Sequence, residues 1–236
     1  MKHLSVFLPF HNEEGNIEAA VKAVLGALWQ IPEIEEFEVI IVDDGSTDRT
    51  KEIALEIVRE NAQVRLVSHD TNRGYGAAIM SGFNDARFEY VFFTDGDLQF
   101  DISELRDFLP WVPEYGAVIG YRVKRQDNLQ RRINTFLWNR FIRAMFGLKV
   151  RDIDCAFKLF KTDLVADLPM ISGGAMFSAE LLIRLKKSGV RFKEIPVTHL
   201  SRLHGSSSGA KPHVIMKAFR ECAKVRRDLR RALQSS

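Results

Sequence analysis

Tyr90-Val91-Phe92-Phe93-Thr94-Asp95-Gly96-Asp97 is five strand-forming residues running into two carboxylates around a glycine. The run reads as a buried strand, and its charged end is where chemistry would sit. Two carboxylates separated by one small residue suit a hard divalent cation such as Mg²⁺ or Mn²⁺, which takes oxygen ligands and keeps positions open for phosphate oxygens. Gly96 removes a side chain where a ligand would lie close to the backbone. Gln99, two residues beyond Asp97, offers a further oxygen. By themselves the same letters also spell ordinary Asp-Gly turn chemistry.

Working outward, the pattern repeats. Leu4 to Phe10 is a short apolar strand, followed by a helical pattern on Ile17, Ala20, Val21, Val24, Leu25 and Leu28. Phe37 to Val42 is a second strand, stopped by Asp43-Asp44-Gly45-Ser46, and a helix follows on Ile53, Leu55, Ile57 and Val58. Val64 to Val67 predicts a third strand, and Arg73-Gly74-Tyr75-Gly76 turns into a helix through Ala77, Ala78 and Phe83. Strands alternating with helices imply an α/β fold with a mostly parallel sheet flanked by helices on both faces. Ligands of such sheets bind beyond the carboxyl ends of the strands. Asn12-Glu13, Asp43-Asp44 and Asp95-Gly96-Asp97 all fall there.

The second half is less regular. Strands are expected over Ala117 to Tyr121, Cys155 to Phe160 and Phe192 to Val197, with helices over Leu129 to Phe146, Ser178 to Ser188 and Pro212 to Leu233. The simplest division is a single domain over 1–211 and a basic amphipathic C-terminal helix over 212–236.

Composition narrows the class. The 236 residues are 46% hydrophobic, enough for a sizeable core, and the net charge of +3 is too small to argue for nucleic acid. The basic stretches carry no aromatic platform of the kind that binds nucleic acid. Cys155 and Cys222 lie far apart, so neither a disulfide framework nor a zinc site is read. The apolar start is broken by Pro9 and ended by His11-Asn12-Glu13-Glu14, too short for a signal peptide. No stretch approaches the ~18 apolar residues of a membrane span. The expectation is a cytoplasmic protein, either soluble or peripheral on a membrane face.

Two motifs keep alternatives open. Asp43-Asp44-Gly45-Ser46-Thr47-Asp48 is either a turn with Ser46 or Thr47 capping the next helix, or a pair of acceptors for a base N–H and ribose hydroxyls. Gly74-Tyr75-Gly76 invites a dinucleotide reading. However, it follows the third strand, and Ile79 stands where the fingerprint needs its last glycine.

Taken together, Leu8-Pro9-Phe10-His11-Asn12-Glu13-Glu14, Val42-Asp43-Asp44-Gly45-Ser46-Thr47-Asp48-Arg49-Thr50, Asn72-Arg73-Gly74 and Asp95-Gly96-Asp97-Leu98-Gln99 resemble, in order and spacing, glycosyltransferase family 2 with its Rossmann-like GT-A fold. The resemblance implies a nucleotide-diphosphate sugar donor of the GDP-mannose or UDP-hexose type, a divalent cation and inversion at the anomeric carbon. By position, Pro9, His11, Glu13, Asp43 and Asp44 would border the base and ribose, and Arg73 would meet the diphosphate. Asp95, Gly96 and Asp97 would hold the metal and diphosphate. His11 stands where the family often has Tyr.

The second half resembles the dolichyl-phosphate mannosyltransferase group and its polyprenyl-phosphate relatives. The residues concerned are Arg131, Asn139, Asp152, Phe157-Lys158, Phe177-Ser178-Ala179-Glu180, Glu194-Ile195-Pro196 and Arg202-Leu203-His204-Gly205-Ser206-Ser207. This branch implies a lipid monophosphate acceptor. Such a phosphate is already ionised near neutral pH, so it needs cationic placement more than a general base. Arg122, Arg131 and Arg202 are the candidates for that clamp. The chain departs from the group at Ser178, at Cys155-Ala156 and at Ser208, which replaces a usual Lys.

A saccharide or protein hydroxyl as acceptor would instead need a base, for which Asp152 and Glu180 are the available carboxylates. Their alternative roles are to cap a turn and to pair with an arginine. A third reading is a non-catalytic module that binds a nucleotide sugar. Phe136, Leu137, Trp138, Phe141, Ile142, Met145 and Phe146 crowd one helix flanked by Arg132, Arg140, Arg143 and Lys149, which reads either as core or as resting at the bilayer interface and admitting a lipid tail. The last helix sets Ile215, Phe219, Cys222, Val225 and Leu229 against many Lys and Arg. That helix is read as docked on the domain, resting on an anionic membrane or touching a membrane subunit.

Overall fold

The computed structural model describes residues 2–123, 129–201 and 212–234. Strand β2 (Ile34–Asp43) buries every residue from Phe37 to Asp43, as a strand covered on both faces must. It pairs in parallel with β1 (Lys2–Phe10) on one side and β3 (Val64–Ser68) on the other. On its far side β1 pairs in parallel with β4 (Tyr90–Thr94). Helices α1 (Ile17–Trp29), α2 (Thr50–Glu60) and α3 (Tyr75–Asp85) make the connections. Right-handed crossovers put α1 and α2 on one face. Since β4 returns past β1, α3 lies on the other.

The remaining strands are β5 (Gly116–Val123), β6 (Phe157–Lys161) and β7 (Arg191–Thr198), giving a seven-stranded sheet of order β3-β2-β1-β4-β6-β5-β7. A short helix, α4 (Val112–Tyr115), precedes β5. Helix α5 (Leu129–Phe146) follows β5, α6 (Phe177–Lys187) precedes β7, and α7 (Pro212–Gln234) comes last. The sheet is mostly parallel, as expected, but β6 runs antiparallel to both β4 and β5. This inversion decides where the second half contributes to a site. Strands β4 and β5 point the same way, so their carboxyl ends share one edge, and β6 starts from that same edge.

Alternating residues of β4 anchor the two layers. Phe93 stacks on Phe7 at 5.5 Å between ring centroids and meets Phe83 of α3 edge-on at 5.8 Å. Phe92 meets Phe157 at 4.6 Å, and Phe157 in turn meets Phe108 at 5.0 Å. Such ring pairs contribute about 0.5–1.5 kcal/mol each beyond the area they bury.

At the edge away from the strand ends, Glu38 is buried. It accepts from Ser5 Oγ at 2.7 Å, Arg65 Nε at 2.7 Å and the Arg87 N–H at 2.9 Å. Helix α7 is docked: Cys222, Val225 and Leu229 join the core, and Asp228 accepts from Arg184 of α6 at 2.7 Å.

Candidate active site

Strands β1 and β4 lie side by side where the strand order reverses, the crevice in which open α/β sheets take ligands. Phe10 ends β1 and Asp95 follows β4. Gly96 joins the two, because a Cβ there would stand 2.1 Å from Phe10 Cε1. The sequence reading had Gly96 making room for a ligand; the structure shows it making room for the Phe10 ring. Leu98, at φ 59°, then turns the chain sharply.

Asn12 builds the rim over β1. It sits in the left-handed region, φ 55°, which asparagine tolerates better than most residues. From there its Oδ1 accepts from Thr47 N at 2.8 Å, and its own N–H donates to Ser46 Oγ at 3.0 Å. Glu13 N–H donates to Thr50 Oγ1 at 2.9 Å, so the 11–14 and 46–50 loops are laced into one wall. His11 Nδ1 lies 3.0 Å from the Asp44 carbonyl oxygen, which can only accept, so that nitrogen carries the proton. Pro9 sits at the end of the β1–β2 ladder opposite Val42. Gly45 closes the wall at φ 65°, where a Cβ would strike the Thr71 backbone at 2.3 Å.

Asp43 and Asp44 are both buried. Asp43 accepts from Ser46 N at 3.1 Å and Ser68 Oγ at 3.0 Å. Asp44 accepts from Arg73 N and Gly74 N, each at 2.8 Å, and from His69 Nδ1 at 2.7 Å, while His69 Nε2 contacts Ser81 Oγ at 2.9 Å. Asp44 therefore holds the Arg73-Gly74 turn and the start of α3 in place. The Arg73 side chain remains exposed on the rim.

Asp97 is buried and Asp95 half-buried at the mouth. Tyr75, the first residue of α3, donates its hydroxyl to Asp95 Oδ1 at 3.2 Å. Burial of that hydroxyl, with the carboxylates of Asp95, Asp154 and Asp97 around it, pushes its pKa well above 10. Among the described residues no group of three or more His, Cys, Asp or Glu side chains is placed to hold a metal. Two carboxylates flanking Gly96 just after β4 nevertheless fit a hard cation whose remaining ligands come from phosphate and water. Gln99 spends its side-chain amide on the Leu200 carbonyl at 3.2 Å, tying the chain after β7 to the chain after β4.

From the β5–β6 side come Arg122 and Asp152, joined by Nε to Oδ2 at 2.7 Å and Nη2 to Oδ1 at 2.8 Å. The guidanium expected to grip a phosphate is thus engaged by the carboxylate considered as a base. Burial alone would make Arg122 easier to deprotonate, but Asp152 outweighs it and raises the pKa further. Glu180 is fully buried and accepts from Ser172 N at 2.7 Å, Ile171 N at 3.1 Å and Arg184 Nε at 2.7 Å, a bracing role in α6. Arg202 and Ser208 lie outside the described residues. Arg131 lies in α5, with its side chain outside them.

Three side chains at this edge had no role assigned from the sequence. Tyr75 was hidden in a turn-like Gly-Tyr-Gly. Asp154 is exposed, and its negative charge helps to raise the Tyr75 pKa. Lys158 is fully buried, donates to the Cys155 carbonyl and lies 5.4 Å from the Phe93 ring centroid. Burial lowers its pKa against the pull of nearby carboxylates, Asp154 and Asp95 among them. A lysine inside an apolar strand was the available signal, since such a group needs a partner or a role.

Known proteins bear on this arrangement. Dodecaprenyl-phosphate galacturonate synthase of Rhizobium johnstonii is 31% identical over 208 residues, 86% of this chain and 61% of that protein. Undecaprenyl-phosphate 4-deoxy-4-formamido-L-arabinose transferase of Pectobacterium carotovorum is 30% identical over 210 residues, 88% of this chain and 62% of that one. The chain thus spans about three fifths of the length of these curated relatives.

Among solved structures, glucosyl-3-phosphoglycerate synthase from Mycobacterium tuberculosis, in complex with Mn²⁺, UDP and glucosyl-3-phosphoglycerate, superposes with a TM-score of 0.65. It is 22% identical, covering 94% of this chain and 80% of that one. S. aureus TarS 1-349 in complex with UDP-GlcNAc gives 0.66 at 22% identity, covering 95% and 66%. These neighbours show a GT-A-like fold. The sequence model described as glycosyl transferase family 2 matches residues 5–168, and the chain belongs to that family.

Proposed function

We propose that the chain transfers one sugar from a nucleotide-diphosphate donor to a polyprenyl phosphate, with a Mg²⁺ or Mn²⁺ ion held by Asp95 and Asp97. One observation carries the choice of acceptor: both carboxylates expected to serve as a base are engaged, Asp152 by Arg122 and Glu180 by α6 and its approach. A phosphate acceptor needs no such base. The relatives agree in a useful way, since their names differ in the sugar and share a polyprenyl phosphate.

In this reading the laced wall of Asn12, Asp43 and Asp44 seats the nucleoside, and the Arg73 side chain faces the diphosphate. An oxygen of the acceptor phosphate attacks the anomeric carbon, and the bond to the leaving diphosphate breaks with inversion. The cation, when bound, neutralises charge on that diphosphate. Arg131 and Arg202 are the acceptor clamp, and Arg122 braces Asp152.

A hydroxyl acceptor is the second reading, in which exposed Asp154, whose charge is felt at the Tyr75 hydroxyl, is the candidate base. Transfer of radiolabelled sugar, with Mn²⁺ present, into organic-extractable polyprenyl phosphate tests the proposal. Label in the lipid phase is expected, reduced at least about 100-fold by Asp97→Asn. Label only on a soluble hydroxyl acceptor, abolished by Asp154→Asn, would establish the rival instead.

A further inference from the structure

Helix α5 contains no acidic residue, and neither acidic group of α7 with a described side chain faces solvent unpaired. Glu221 is buried, and Asp228 is taken by Arg184. The basic residues do the reverse. Arg140 and Arg143 of α5, and Arg220, Lys224, Arg227 and Arg230 of α7, are exposed. Between the helices runs a groove of about 340 Å³, floored by Phe141, Met145, Phe219 and Cys222 and rimmed by Arg226 and Arg230.

Next to this groove α5 exposes large apolar side chains: Phe136 at 61%, Leu137 at 57% and Ile133 at 48%. At 100° per residue, Leu137, Ile133, Arg140 and Phe136 form one continuous arc beginning beside Phe141. Phe219 crosses to Phe141 at 5.1 Å and to Trp138 at 6.3 Å, so the arc and the arginine rim are one surface.

We infer that this α5–α7 face is a docking surface for an anionic lipid bilayer. Aromatic and aliphatic side chains enter the headgroup boundary, and the arginines meet lipid phosphates while their stems stay in the apolar layer. Charge complementarity selects this occupant: outward cations, beside which the half-exposed Asp228 is already neutralised by Arg184, suit a sheet of negative headgroups. The same helix reaches the candidate site, because Asn139 Nδ2 donates to the Arg151 carbonyl at 2.9 Å, one residue before Asp152. Docking therefore sets the β5–β6 side of the site near the membrane plane. The surface requires no particular acceptor, so it stands or falls separately from the transfer reaction.

Sedimentation with phosphatidylcholine vesicles, with and without phosphatidylglycerol, tests it. The chain should pellet with the anionic vesicles and release with salt. Neutralising Arg140, Arg227 and Arg230 to Gln should weaken binding about 100-fold, at about fivefold for each cation lost. Phe136→Ser with Leu137→Ser should also release the chain, while Lys22→Gln in α1 with Lys51→Gln in α2 should change nothing. Circular dichroism keeps loss of fold distinct from loss of binding. Equal binding to neutral and anionic vesicles, no pelleting, or unchanged binding by the arginine variant would overturn the inference. So would binding of a single-stranded RNA oligomer in place of vesicles.

Discussion

Arg122 and Asp152 meet through two parallel hydrogen bonds of 2.7 and 2.8 Å, with both side chains almost out of water. Each is the other's solvent. Asp152→Asn should therefore cost about 3–5 kcal/mol, because an uncompensated guanidinium is left inside. The paired change Arg122→Met with Asp152→Leu should cost far less than the two single changes together. Urea unfolding of the three variants measures the difference. A pair whose removal is additive would not be coupled in this way.

Gly96 presses on Phe10, so Gly96→Ala should lower stability by about 1–3 kcal/mol through overpacking. Phe10→Leu in the same chain opens space and should restore part of the loss. Thermal midpoints of the single and double variants are the readout. An additive loss would show that the glycine is needed for some other reason.

Tyr75 orients Asp95 through its hydroxyl. Tyr75→Phe leaves the ring against Phe177 and removes only that bond. With the cation placed on Asp95 as proposed, the expected effect is about a tenfold weaker affinity for Mn²⁺, the size seen when a group supporting a metal ligand is lost. Titration of Mn²⁺ in the presence of nucleotide diphosphate, alongside an unchanged thermal midpoint without ligand, checks this.

Glu38 supplies a pH dependence. Burial would raise its pKa, but Arg65, Ser5 and the Arg87 N–H outweigh that and hold it below the ordinary 4.5. A carboxylate with a depressed folded pKa contributes stability that is fully present above its unfolded pKa and is lost as pH falls through the folded one. Glu38→Gln should cost about 1.5–3 kcal/mol at neutral pH. The gap between wild type and variant should narrow as the solution is taken below pH 4.5. Denaturant midpoints across that range give the curve.

The first half of the fold was legible because its strands obey one rule each. Runs such as Val39 to Val42 and Tyr90 to Thr94 are apolar on both faces, and acidic turns mark their ends. The antiparallel direction of β6 was not legible, since direction depends on which neighbour a strand finds and leaves no mark in its own residues. The site was legible as a set of strand ends, but the employment of its side chains was not. Arg122 and Asp152 pair across 30 positions of sequence, and Glu38, charged in an otherwise apolar strand, finds Arg65 only through the β2–β3 ladder. Helix α4 was missed altogether, being a single turn between Trp111 and Gly116 with no periodicity to detect.

Because β6 enters from the edge where β5 leaves, everything between Val123 and Phe157 is one excursion that begins and ends at the site. It lies outside the β1–β4 half of the sheet, although Ile142, Leu148, Val150 and Ile153 within it join the core. Under the proposed function, the acceptor side could be altered within that one continuous stretch while the strand ends of β1, β2 and β4 stay in place. The reversed strand is thus a seam, and evolution can cut along it.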